Sequence, residues 1–407
     1  MAGKQAVLLI HGIGEQRPMS TLRGFVDAVW TRNQPVHHPH IPAAETLWSK
    51  PDAVSGNFEL RQLTTPQNRA NIRTDFFEFY WAHLMQGTTL GQVGAWASAL
   101  LLRSPASLPK HLRPLWAALV FVLLVTAGGF VYAQQHWKED HWPAVLFGIV
   151  IGPLLAWVLT AIVGDAARYL NPAPGNIQAR TEIRKAGIEV LRELHKRGYD
   201  RIVVVGHSLG SVIGYDVLTH YWVEHHMMAT GVGAAADALE ECARTGEGDT
   251  QQLQRAYFNK LRASGCPWLV TDFVTAGSPL AHAEILMARD EKDFRTRVAG
   301  RELPRCLPQL EGTRFTFGNG TPHHAAVFAP VRWTNLYFPN CLILGGDLVG
   351  GPLRRLFGNG IKDVEVSTSQ RFGLLSHTLY WSMGKESSPA HVEALRDALD
   401  LADDRGK

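Results

Sequence analysis

The sequence is short of charged residues and has no pattern of basic residues that indicates a nucleic-acid partner. Charged side chains make up 19% of its 407 residues, against about a quarter in an ordinary soluble domain. This shortage indicates that part of the chain faces lipid. The net charge is only +3, and no basic helix or basic patch interleaved with aromatic residues occurs. Nucleic acid is therefore excluded from the expected partners.

Cysteine is scarce too, and the few cysteines lie far apart, without the C-x-x-C spacing of a zinc site or the pairs of a disulfide framework. They are Cys242, Cys266, Cys306 and Cys341. Such thiols are expected to be reduced, as in the cytoplasm. A signal-peptide core is also missing, because the short apolar run after Lys4 enters a strand at once. Both features predict that the amino terminus stays in the cytoplasm.

One stretch, residues 201–215, carries the pattern from which the chemistry is inferred. The apolar run 202–205 is typical of a strand buried on both faces, and the residues after Gly210 are typical of a helix. Between them, residues 206–210 form G-x-S-x-G, the nucleophile elbow. This turn predicts a strained Ser208 beside backbone amides that can bind a developing oxyanion. The alternative is a glycine- and serine-rich turn that matches by chance.

A second buried strand, residues 5–10, ends in the sequence His11-Gly12-Ile13-Gly14. The two glycines allow a sharp turn at the carboxyl end of the strand, where α/β folds bind their ligands. A second oxyanion donor is therefore expected in this loop. His11 itself is interpreted as a structural histidine, because it precedes the nucleophile on an early strand. The segment 34–65 that follows is interpreted as a polar, proline-containing excursion.

Two uncharged runs, residues 115–133 and 144–163, are each long enough to cross a bilayer core of roughly 30 Å as a helix. A short polar connector joins them, so together they predict a transmembrane hairpin. Basic residues lie outside both ends of the pair, and this bias predicts that both ends face the cytoplasm. The alternative is a pair of buried helices in a soluble core.

The partners of a serine on such an elbow follow it in chain order, the acid before the histidine, each after a late strand. Asp347, on a glycine-rich loop, and His377, after the last predicted strand, satisfy that order. Asp272 and Asp363 are the alternative acids, although they lie inside a strand or at its start. The competing histidines, which either precede the acid or fall on the terminal helix, are His323, His324 and His391.

Four segments resemble motifs of the α/β-hydrolase superfamily, in its lipase and esterase branch. They are HGIG at 11–14, GHSLG at 206–210, TAGSP at 275–279 and SHTLYW at 376–381. The resemblance implies an α/β-hydrolase fold, with a mostly parallel central sheet flanked by helices. It also implies that the amides of Ile13 and Leu209 form the oxyanion hole.

The α/β-hydrolase domain is accordingly expected in three pieces, residues 1–87, 171–220 and 267–407. A membrane-associated insertion, residues 88–170, would lie between the first two pieces and contain the hairpin. A helical insertion, residues 221–266, would follow the nucleophile helix. In a lipase-like enzyme it would act as a cap or lid; the alternative is a helical pair without that role.

Together these features predict a membrane-anchored serine hydrolase that cleaves carboxylic esters through an acyl-serine, with Ser208, His377 and Asp347 as the triad. Its catalytic domain would face the cytoplasm, on the inner membrane if the protein is bacterial. Because the anchor keeps the site near the bilayer, a lipid or other apolar acyl ester is the expected substrate. No metal or organic cofactor is expected, and His37, His38 and His40 are interpreted as part of a solvated loop. The alternatives are an acyltransferase that uses the same acyl-serine, and a non-catalytic membrane scaffold with this fold.

Overall fold

The computed structural model describes residues 3–12, 17–85, 174–339, 346–347, 349–367, 373–384 and 388–402, together with single positions Trp116, Val120, Leu124, Gly128 and Tyr169. Apart from four of those single positions, the predicted hairpin at 115–133 and 144–163 lies outside the described residues. The predicted oxyanion residue Ile13 also lies outside them. Within the described ranges, no helix is both long enough and apolar enough to cross a bilayer.

The strands of the described chain form one eight-stranded sheet. They are β1 Gly3–Ile10, β2 Trp48–Pro51, β3 Arg61–Gln67, β4 Ile72–Phe79, β5 Arg201–His207, β6 Val270–Ala276, β7 Arg332–Tyr337 and β8 Lys362–Glu365. Their order in the sheet is β2-β3-β4-β1-β5-β6-β7-β8. All neighbours from β4 to β8 are parallel, whereas β2 and β3 add an antiparallel edge. The predicted mostly parallel α/β architecture is confirmed.

Helices cover both faces of this sheet. In the described ranges the α-helices are α1 Ser20–Val26, α2 Pro174–His195, α3 Leu209–Val223, α4 Gly233–Thr245, α5 Thr250–Ala263, α6 Ala283–Leu286, α7 Glu291–Ala299, α8 Arg354–Phe357 and α9 Ala390–Leu399. A π-helical turn, Asp27–Thr31, extends α1. Short 3-10 turns at Ala82–Met85 and Gly373–Thr378 lie on the segments that follow β4 and β8.

The continuous apolar run of β5 follows from its position between two helical layers. Ile202 and Val204 pack in the core that α2 and α3 cover. Val203 and Val205 point to the other face, into the core that α1 and α9 cover. A central parallel strand buried on both faces has no polar side to alternate with, which is why the sequence signal is unbroken.

The parallel register brings the carboxyl ends of the strands to one edge of the sheet, here called the carboxyl edge. Ile10 pairs with both Phe79 and Gly206, and Gly206 pairs in turn with Thr275. The loops after β1, β5, β6 and β7 therefore open side by side. Open α/β sheets bind their ligands at this edge.

The segment 34–65, interpreted from the sequence as a polar excursion, contains strand β2 and the start of β3. All four residues of β2 are exposed, so hydrogen bonding to β3 and not burial holds this strand in place. Its sequence therefore has no hydrophobic alternation by which it could be recognised. Strand β3 begins within the same segment and buries Leu63 and Thr64 against the sheet.

The insertion 221–266 is not a lid, because it lies at the opposite edge from Ser208. It connects the end of α3 to Val270, which pairs with Ile202 at the amino end of β5. Leu239 of α4 and Tyr257 of α5 are buried in the core. The predicted cap or lid is therefore wrong, and the alternative of a packed helical pair is what the structure has.

The predicted boundary of the insertion 88–170 also needs correction. Tyr169, which the sequence analysis placed in the insertion 88–170, is 1% exposed and belongs to the core beside α2 and α3. Its hydroxyl donates to Asp216 Oδ2 over 2.8 Å, and Arg184 donates to the same oxygen. Tyr169 is therefore part of the α/β domain.

Candidate active site

Ser208 lies at the turn between β5 and α3 in a backbone conformation that non-glycine residues rarely adopt, with φ 51° and ψ −128°. Such a conformation costs on the order of 1–3 kcal/mol and needs support from its surroundings. The Ser208 amide donates to the Ala276 carbonyl over 3.0 Å. Its own carbonyl accepts from the Ser211 amide at 3.0 Å and from Ser211 Oγ at 2.6 Å. These bonds hold the strained turn.

The glycines of the elbow are required by close backbone approaches. A Cβ at Gly206 would lie 2.5 Å from Ser211 Cα, and one at Gly210 would lie 2.1 Å from the Ile10 carbonyl oxygen. Both distances are impossible for a side-chain carbon. The G-x-S-x-G pattern thus reflects a turn that is in contact with its own helix and with the end of β1.

The structure brings the side chains of Ser208, His377 and Asp347 together. His377 Nε2 lies 2.8 Å from Ser208 Oγ. His377 Nδ1 lies 3.0 Å from each carboxylate oxygen of Asp347. The three side chains come from the loops after β5, β8 and β7, all at the carboxyl edge. Ser208, His377 and Asp347 thus form one continuous hydrogen-bonded chain.

Asp347 is held as a carboxylate by several donors. It is 1% exposed, and burial alone would raise its pKa; the charge and hydrogen bond of His377 and the hydroxyl of Tyr380 outweigh burial and lower the pKa to about 2. Tyr380 donates to Oδ2 over 2.7 Å, and the Val349 amide donates to Oδ1 over 2.8 Å. Asp347 is therefore ionised throughout the physiological pH range.

Two glycines leave room for this carboxylate. A Cβ at Gly277 would lie 2.9 Å from Asp347 Oδ2 and 2.7 Å from the Tyr380 ring, and one at Gly350 would lie 2.7 Å from the same oxygen. The sequence analysis singled out neither these glycines nor Tyr380, although Gly277 and Tyr380 both fall in segments quoted for the resemblance. Their positions within TAGSP and SHTLYW are the only signal by which they could have been found.

The alternative acids have structural partners away from Ser208. Asp272 pairs with Arg332 over 2.7 Å at the amino ends of β6 and β7. Asp363 accepts from the Asn335 side chain over 2.8 Å and from the Leu353 amide over 3.0 Å. Neither carboxylate contacts His377.

The competing histidines also have other partners. His323 Nε2 bonds the Gln309 carbonyl over 2.8 Å, and its ring lies 6.0 Å from that of His324. His391 Nε2 bonds the Ser382 carbonyl over 2.9 Å. None of the three contacts Ser208.

His11 has the structural surroundings expected for it. Its ring stacks on Trp81 with 5.2 Å between centroids, and Nδ1 bonds the Gly12 carbonyl over 2.8 Å. The Trp81 indole donates to the His11 carbonyl over 3.0 Å. Desolvation lowers the pKa of His11 to about 4, so the ring is neutral near pH 7.

Of the two predicted oxyanion donors, Leu209 is the one that the structure describes. It is the first residue of α3, so its amide has no acceptor within the helix and lies beside Ser208. The β1 loop passes close by, since a Cβ at Gly12 would lie 2.7 Å from Ser208 Cβ. This approach brings the chain just before Ile13 against the nucleophile.

The expectation of no metal ion and no organic cofactor can be compared only with the residues that the structure describes. Among the described residues, no group of three or more His, Cys, Asp or Glu side chains is placed to hold a metal ion. Cys242, Cys266 and Cys306 are free and buried, and Cys341 lies outside the described residues. His37 bonds the Trp30 carbonyl over 2.8 Å.

Comparison with known proteins identifies no relative: no family model, no curated protein and no solved structure matches this chain. The inference of function therefore rests on the sequence motifs and on the geometry of the site.

Proposed function

We propose that this protein is a serine hydrolase of the α/β-hydrolase superfamily that cleaves carboxylic esters. The observation that carries the proposal is the chain of hydrogen bonds from Ser208 Oγ through His377 to Asp347, at 2.8 and 3.0 Å. It is built on a strained elbow at the carboxyl edge of a mostly parallel sheet. Nucleophile, base and orienting acid in this arrangement are the parts that acyl transfer requires.

The reaction would proceed in two balanced halves. His377 Nε2 accepts the hydroxyl proton while Ser208 Oγ attacks the ester carbonyl carbon, and the Leu209 amide donates to the resulting oxyanion. The tetrahedral intermediate collapses by breaking the bond to the alkoxy oxygen, which leaves as the alcohol with the proton from His377. Water then attacks the acyl-serine and gives a proton to His377 Nε2. The second tetrahedral intermediate collapses by breaking the bond between the acyl carbon and Ser208 Oγ, which takes the proton back from His377, and the carboxylic acid is released.

Asp347 contributes to both halves by its fixed charge. Its carboxylate accepts the hydrogen on His377 Nδ1, which leaves Nε2 free to take the serine proton. The same charge stabilises the imidazolium that forms after proton transfer. Because the pKa of Asp347 is about 2, this negative charge is present throughout the physiological pH range.

We further propose that the protein is anchored in a membrane with this domain at the cytoplasmic face, and that its substrate is a lipid or other apolar acyl ester. The position of the insertion supports this. The 3-10 turn Ala82–Met85 leads into it from the carboxyl end of β4. Arg184 pairs with Asp216 and Arg192 with Glu224.

Both ion pairs span 32 residues, so α2 and α3 run in parallel and Ile177 is level with Leu209. The chain between Met85 and Pro174 therefore leaves and rejoins the domain at the edge that carries Ser208. A bilayer anchor attached there would bring the site to the lipid surface.

The test is labelling of the detergent-solubilised protein with a fluorophosphonate probe, which reacts with activated serines. Wild type is expected to be labelled, and Ser208→Ala and His377→Ala are expected to lose the label. His324→Ala, which changes an exposed histidine, is the matched control and should label like wild type. Absence of labelling in folded wild type would refute a hydrolase or acyltransferase and favour the scaffold.

If labelling succeeds, hydrolysis of long-chain esters in vesicles is compared with hydrolysis of a soluble short-chain ester. Preference for the vesicle substrate is the expected result. Equal rates, with no response to vesicles, would remove the lipid substrate while leaving the serine hydrolase in place. Transfer of the acyl group to a competing alcohol in preference to water would identify an acyltransferase.

A further inference from the structure

His207, the residue before the nucleophile, has no part in the steps above but contacts the proposed base. Its Nε2 lies 2.9 Å from the backbone carbonyl oxygen of His377. Its ring centroid lies 5.1 Å from that of His377 and 4.8 Å from that of Trp381. The residue is 8% exposed, so this contact is shielded from solvent.

The protonation state of His207 follows from these contacts. A carbonyl oxygen can only accept, so Nε2 must carry the hydrogen. Desolvation and the nearby charge of His377 lower the pKa of His207 to about 3. The ring is therefore neutral, with Nδ1 unprotonated and turned toward the β1 loop, where a Cβ at Gly12 would lie 3.1 Å away.

Two hydrogen bonds and one peptide bond connect Ser208, His377 and His207 in a closed ring. Ser208 Oγ bonds His377 Nε2, the His377 carbonyl accepts from His207 Nε2, and the peptide bond joins His207 to Ser208. Asp347 fixes the tilt of the His377 ring but bonds only its side chain. The bond from His207 ties the backbone of His377 to the side chain of the residue that precedes Ser208.

We propose that His207 is a positioning residue, which holds the His377 backbone so that Nε2 stays within proton-transfer distance of Ser208 Oγ. The inference rests on the proposed serine-hydrolase function. It predicts a loss in the rate of acylation without a matching loss in substrate binding, since His207 acts through His377.

Two substitutions separate the hydrogen bond from the volume of the ring. His207→Phe keeps an aromatic ring against Trp381 but removes the donor. His207→Gln places an amide donor near the position of the imidazole Nε2. A displacement of about 1 Å at a reacting group can reduce a rate by about a hundredfold. His207→Phe is therefore expected to lower kcat and the rate of fluorophosphonate labelling by roughly tenfold to a hundredfold, with KM changed less than about threefold.

His207→Gln is expected to recover most of the loss, and His207→Asn, whose amide is too short to reach the carbonyl, is expected to behave like His207→Phe. If His207→Phe does not fold, the comparison of His207→Gln with His207→Asn at equal thermal stability carries the test. Equal labelling rates in wild type and in a folded variant without the donor would overturn the positioning role and leave the hydrolase standing. Equal loss in the Gln and Asn variants would also overturn it, because then the donor is not what matters. No labelling of wild type would remove the proposed function, and the positioning role with it.

Discussion

Replacing Asp347 by asparagine tests the choice of the triad acid, for which the sequence left Asp272 and Asp363 as alternatives. The substitution keeps the size of the side chain but exchanges one carboxylate oxygen for an amide nitrogen. Oδ1 accepts from the Val349 amide over 2.8 Å, and that backbone donor cannot reverse its direction. The asparagine oxygen is therefore expected at this position, and its nitrogen at the position of Oδ2.

The consequence for His377 follows from the tautomer. At the position of Oδ2, the asparagine nitrogen faces the Tyr380 hydroxyl and His377 Nδ1. The Tyr380 hydroxyl can rotate to accept. Nδ1 lies 3.0 Å from both positions, so the asparagine nitrogen now competes as a donor to Nδ1, and in the tautomer that accepts this bond the ring hydrogen lies on Nε2. A protonated Nε2 cannot take the proton of Ser208. A change to the wrong tautomer in a serine triad lowers kcat by about 10⁴, which corresponds to about 5.5 kcal/mol in the activation barrier.

The assay is single-turnover acylation of detergent-solubilised protein at pH 7, with thermal unfolding as a control for folding. Asp347→Asn is expected to lose about four orders of magnitude in the acylation rate. Tyr380→Phe is the milder comparison, since it removes one donor to Asp347 but leaves the carboxylate on His377. A folded Asp347→Asn protein that keeps a tenth or more of the wild-type rate would refute the assignment of Asp347 as the triad acid.

Three further outcomes are expected. Gly210→Ala should lower the midpoint of thermal unfolding and abolish labelling, because its Cβ would lie 2.1 Å from the Ile10 carbonyl oxygen. A variant with wild-type stability and labelling would contradict the tight elbow. The pKa of Asp347, lowered from 3.8 to about 2, contributes about 2 kcal/mol of stability that is present above pH about 3.8 and lost as the pH falls through 2. Acid unfolding of Asp347→Asn should lack this contribution, and identical acid profiles would count against it. Phe58 is 101% exposed on the loop between β2 and β3 at the carboxyl edge, so Phe58→Ser should slow hydrolysis of vesicle esters roughly tenfold. Met227→Ser, beyond the far end of α3, should not slow it. Equal rates for Phe58→Ser and wild type would mean that this edge does not meet the bilayer.

The elements that could be predicted from the sequence are those whose surroundings are uniform. Strand β5 is buried on both faces, so its apolar run and the glycine pattern after it identified the elbow and Ser208. Chain order alone pointed to Asp347 and His377, because triad partners follow the late strands of such a sheet. Strand β2 could not be predicted, because all four of its residues are exposed and its sequence has no hydrophobic alternation.

The remaining errors concern contacts between distant segments. The hydrogen bonds of His207 and Tyr380 join residues 170 and 33 positions apart, and no local pattern reveals such pairings. The cap interpretation of the insertion 221–266 rests on analogy with lipase-like enzymes, although a segment between a nucleophile helix and the next parallel strand begins and ends at the amino ends of the strands. That error came from neglecting topology and not from a missing signal.

The attachment of the long insertion has a consequence for how such a protein could arise. The turn Ala82–Met85 packs against α2, so the chain leaves the sheet and returns to it at neighbouring points. A segment joined in this way can be acquired, exchanged or lost as a unit without changing strand order or register. The one constraint is Tyr169, whose bond to Asp216 belongs to the domain and not to the inserted unit. If the insertion anchors the protein as proposed, a single event of this kind next to Ser208 would have joined the anchor to an existing α/β domain.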